Sequence, residues 1–140
     1  MLKRVIALRL ALLICVGAPV ITFAISYSFD MRAVGRLHEP IRFTFSGDRR
    51  PKKITSFVVS ERTSDHRWKP VWSISGKMPA SGAIEYGEVH SGFKTITLPK
   101  TLVTRRVYAA FADDGHGGSA MIIFRFDRDG AMGFPTSLDG

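Results

Sequence analysis

From Ile41 to Asp127 the apolar residues come in short runs, and no stretch after residue 30 keeps a long helical period. Seven runs rich in β-branched and aromatic residues stand at 41–45, 54–61, 70–76, 83–87, 94–98, 105–113 and 119–127. Segments such as "SGDRRPKK", "KMPASG" and "DGHGG" separate them with Gly, Pro, Ser and Asp, the residues that tight turns favour. Short strands at this spacing predict an all-β domain. Alternation agrees: Val107, Ala109 and Phe111 share one face of their run, and Ala120, Ile122, Phe124 and Phe126 share one face of the next. Trp72 and Ile74 alternate with Ser73 and Ser75 as in a half-buried strand.

Leu102 and Tyr108 are six residues apart, with Tyr108 near the start of a long run. This spacing resembles the tyrosine corner of fibronectin type III and immunoglobulin-like domains, in which a tyrosine hydroxyl bonds to backbone a few residues upstream. The fibronectin form usually carries Pro or Gly in that turn, where this chain has Thr104 and Arg105. The order "VWSISG … IEYGEVHSGF … VYAAF … FRF" also resembles small exported or membrane-anchored bacterial proteins. The resemblance implies a single seven-stranded antiparallel immunoglobulin/fibronectin-like sandwich over residues 41–127 and an envelope location. It implies no activity, because such folds host many unrelated functions.

Ahead of this domain, Leu10 to Phe29 contains no charged residue and would span about 30 Å as a helix, the thickness of a bilayer core. Lys3, Arg4 and Arg9 precede it, and positive charge on that flank keeps an amino terminus inside the cytoplasm. The expectation is one N-terminal apolar helix over residues 1–29, a polar linker over 30–40, the β domain over 41–127 and a tail over 128–140. A cleaved signal peptide is the alternative, with Thr22-Phe23-Ala24 as a small-residue cleavage pattern. The lone Cys15 lies inside the apolar run, so no internal disulfide is available and the domain depends on its core. After Phe29 the chain holds 17 basic and 12 acidic residues, a modest excess that suits anionic surfaces without specifying nucleic acid.

Few residues look like chemistry. Asp113, Asp114 and His116 share the loop "ADDGHGGSA", but one short loop cannot converge the three or four ligands a metal needs. A hairpin turn uses the same residue types, and partner binding is the functional alternative. "FDRDGAMG" lacks calcium-loop spacing: Gly130 comes too early and Leu138 stands where a glutamate belongs. His38, His66, His90 and His116 are scattered without zinc spacing, and no serine sits in Gly-x-Ser-x-Gly. Arg49, Arg50, Lys52 and Lys53 form one basic turn, and Arg105 with Arg106 form a smaller pair. Such charge either solvates a loop or meets anionic headgroups or an acidic protein.

The sequence therefore predicts a single-pass bacterial inner-membrane protein with a periplasmic β domain, non-catalytic and without a cofactor or metal. Its expected partners are the membrane and a protein or envelope component, with no nucleic acid and no small-molecule ligand. The expected contact residues are Arg49, Arg50, Lys52, Lys53, Asp113, Asp114 and His116. The rival readings are an immunity-type inhibitor of an envelope-active enzyme and a hydrolase with a non-local site.

Overall fold

A computed structural model describes residues 27–138. Ten strands follow in chain order: β1 (Tyr27–Ser28), β2 (Asp30–Val34), β3 (Arg42–Ser46), β4 (Lys53–Arg62), β5 (Trp68–Pro79), β6 (Ile84–Glu85), β7 (Phe93–Thr97), β8 (Val107–Asp113), β9 (Gly118–Phe126) and β10 (Met132–Gly133). The large sheet runs β1-β9-β8-β4-β5-β7, with β10 also paired to β9, and the small sheet runs β2-β3-β6.

This corrects the expected fold. The domain is all-β, but it is not a single seven-stranded antiparallel sandwich. Its large sheet is mixed, because β1 runs parallel to β9 with Tyr27 opposite Gly118 and Ser28 opposite Ser119. The fold also begins before Ile41. The stretch from Tyr27 to Val34 adds one short strand to the large sheet and then a second strand to the small one. Phe29 marks the crossing, buried and set edge-on to Phe45 at 5.9 Å. The expected N-terminal helix lies, up to Ser26, outside the described residues. Among the described residues no helix is long and apolar enough to cross a membrane.

The two sheets meet across one core. Along β3 the pattern is exposed, buried, exposed, buried, exposed, so Phe43 and Phe45 point inward while Arg42, Thr44 and Ser46 face water. Phe43 lies 4.9 Å from Phe57 of the large sheet and 5.9 Å from Phe124. Trp72, Ile74 and Ile54 complete the fully buried centre. On β8 the buried face carries Tyr108, Ala110 and Ala112, so Phe111 points outward and is exposed. The tyrosine hydroxyl reaches back as its spacing suggested: Tyr108 Oη accepts the Val103 amide at 2.9 Å, and Leu102 is buried beside it. "FDRDG" forms the tight turn between β9 and β10, closed by the Gly130 amide donating to the Asp127 carbonyl with Gly130 at φ 82°.

Candidate functional site

The β8–β9 hairpin builds its bend from backbone-directed carboxylates. Asp113 Oδ1 accepts the Gly115 amide at 2.6 Å, and the Asp113 carbonyl accepts the Thr55 hydroxyl at 3.1 Å. Asp114 Oδ1 accepts the amides of His116 at 2.7 Å and Gly118 at 2.9 Å. Its Oδ2 accepts the Tyr27 hydroxyl. The Asp114 side chain is thus buried with three donors on its carboxylate. Burial pushes its carboxyl up, but the Tyr27 hydroxyl and the His116 and Gly118 amides outweigh that and hold it below the usual carboxylate range. The same contact, aided by burial and the nearby carboxylates, raises the Tyr27 hydroxyl above its ordinary value.

Gly118 makes this arrangement possible. A Cβ there would lie 2.4 Å from the Tyr27 ring and 2.5 Å from Asp114 Oδ2. No side chain fits between strand and ring, so glycine is required by space.

Next to this lock is a cleft of about 300 Å³ lined by Tyr27, Pro51, Lys52, Lys53, Asp114 and His116. The fold therefore brings together two loops about sixty residues apart in sequence, the basic turn and the Asp-His hairpin. Of the expected contact residues, Lys52, Lys53 and His116 line the cleft, and Asp114 forms its buried wall. Asp113 holds the loop from within. Arg49 and Arg50 lie exposed on the same turn, where the Arg50 amide donates to the Gly47 carbonyl. Among the described residues no group of three or more His, Cys, Asp or Glu could hold a metal ion.

Tyr27 is the site residue that sequence reading missed, because it sits at the end of an uncharged run. The signal was nevertheless there. "YSFDMRAV" alternates, and in the fold Tyr27, Phe29, Met31 and Ala33 point inward between exposed Ser28, Asp30, Arg32 and Val34.

The opposite end of the large sheet is built on arginine. Glu61, buried at the end of β4, is held by Lys100 Nζ at 3.2 Å and Arg106 Nη1 at 3.3 Å. Beyond it, Arg62 donates to the Leu138 carbonyl at 2.6 Å.

No protein family, curated protein or solved structure matches this chain.

Proposed function

We propose that this is a non-catalytic envelope protein whose β domain is a binding module, carried on the membrane by its N-terminal apolar run with the basic hairpin end turned toward the headgroups. One observation carries this reading. Tyr27, the first residue of β1, lines the same cleft as Lys52 and Lys53. The chain thus enters the domain at its basic end, directly after the uncharged run. A tether at that point holds Arg49, Arg50, Lys52 and Lys53 near the bilayer surface. There each cation contributes about 1 kcal/mol toward anionic lipid.

The test uses the full chain in nanodiscs with and without phosphatidylglycerol. Amide exchange of the turn from Gly47 to Lys53 should slow on anionic lipid and recover at high salt. Reversing all four cations to Glu should abolish the slowing while leaving the circular dichroism unchanged. Exchange indifferent to lipid charge would sink the reading.

A second reading is favoured by where the fold begins. Because β1 starts at Tyr27, the uncharged stretch ahead of it is Leu10 to Ser26, about 26 Å as a helix and at the short end for a membrane span. Cleavage after Ala24 would release the domain with β1 intact. The intact mass of the protein recovered from cells distinguishes the two.

A further inference from the structure

Two connected hollows of about 290 and 410 Å³ lie at the end of the large sheet opposite the hairpin cleft, sharing Arg105, Val107 and Leu138. β4 links the two ends: it starts at Lys53 and finishes at Arg62, a rise of about 30 Å. Among the described residues the groove is lined by five arginines, Arg62, Arg105, Arg106, Arg125 and Arg128, together with His66, and by no lysine. Asp127 is its one acidic lining residue among the described residues. Among the described residues no ion pair reaches Arg105, Arg125 or Arg128. Guanidinium groups present a planar fork suited to carboxylates, which the ammonium of lysine does not.

The backbone adds an independent observation. Three described non-glycine residues have a left-handed backbone: His38, His66 (φ 63°) and Arg105 (φ 62°). Two of the three line this groove, and both are basic. Glycine would take this conformation at Arg105 without the steric cost a Cβ brings. Strained non-glycine residues that persist against a permissive alternative cluster at binding sites. Within the groove's own wall, the Arg62 guanidinium donates to the Leu138 carbonyl and bonds His66 Nδ1 at 3.2 Å. Val107 and Leu138 supply apolar surface between the charges.

From this we infer that the arginine groove is a docking site for an acidic, extended peptide segment of a protein partner, with carboxylates on the guanidinium forks and apolar side chains over Val107 and Leu138. A peptide suits the groove better than a compact anion because the arginines are spread along two adjacent hollows. The site stands apart from the hairpin end, so it is independent of the membrane reading and of whether the first residues are retained.

The experiment uses the full chain in phosphatidylcholine nanodiscs and a fluorescein-labelled Glu-Leu-Glu-Glu-Leu-Glu peptide, read by anisotropy. Binding should be saturable and salt-sensitive. Arg105→Gly should weaken it about tenfold, the loss of one charge-assisted contact, while leaving the melting temperature intact because glycine suits that backbone. Arg125→Gln should weaken it by a similar factor, and Lys52→Gln with Lys53→Gln should leave it unchanged. Absence of binding, binding by Arg105→Gly and Arg125→Gln as tight as that of the wild type, or an equal loss from the lysine variants would overturn the assignment. Tighter binding of tripolyphosphate than of the peptide would also overturn it, in favour of a phosphate site.

Discussion

At the hairpin end of the large sheet, Asp114 is buried with three donors converging on its carboxylate. At the other end, Arg105, Arg125 and Arg128 stand in a groove with no ion pair among the described residues. The first arrangement is closed: its charge is satisfied inside the chain, so it contributes order and has little left to offer a ligand. The second is open: its cations keep their hydration until something anionic displaces it. Buried, paired groups thus mark where the fold is held, and unpaired charge on a shaped surface marks where it can bind.

The sharpest way to break this contrast is Gly118→Val. Its side chain would collide with the Tyr27 ring and Asp114 together, so the bond between them must break or β1 must shift from β9. A loss of about 3 kcal/mol or more is expected in urea unfolding. An unchanged midpoint would mean that β1 does not lie against β9.

Asp114→Asn should cost about 2 kcal/mol at neutral pH, since a buried acceptor for two amides and a hydroxyl is weakened. The sign with pH follows from the depressed carboxyl. Its stabilisation is present above the unfolded value of about 4 and disappears as pH falls from there through the folded value. The gap between wild type and Asp114→Asn should therefore narrow in acid. A gap constant from pH 7 to pH 2 would show that the charge is not what closes this end.

Tyr108→Phe probes the other end more gently. It removes the acceptor of the Val103 amide from the turn that leads to Arg105, at an expected cost of about 1 kcal/mol. If the turn positions the arginine, peptide affinity should fall as well. An affinity that stays the same would separate the tyrosine from the groove.

Much of the fold was legible in local pattern. Each of the seven predicted runs overlaps a strand, because alternation and turn residues act over a few positions. Tyr108 likewise met its backbone partner at the distance its spacing implied. The buried face of β8 was less legible: alanines and Phe111 alternate there, and side-chain size alone does not say which face a partner sheet will cover. β1 was hidden because its alternation continues out of an uncharged run and reads as its end, and β2 because the charges of Asp30 and Arg32 read as a polar linker. Of the candidate site, the basic turn and the Asp-His loop were visible separately. Their meeting, and the part of Tyr27, were not.

By itself the sequence determined an all-β chain with an uncharged run over residues 10–29, one cysteine and two basic clusters, since composition and short-range periodicity are local properties. Only the tertiary structure decided that Tyr27 pairs in parallel with Gly118, that Lys52 and His116 line one cleft, and that arginines from the ends of β4, β8 and β9 share one groove. Those pairings join residues far apart in the chain. Whether they form depends on which faces the core buries and where a glycine leaves room, and no local pattern carries that information.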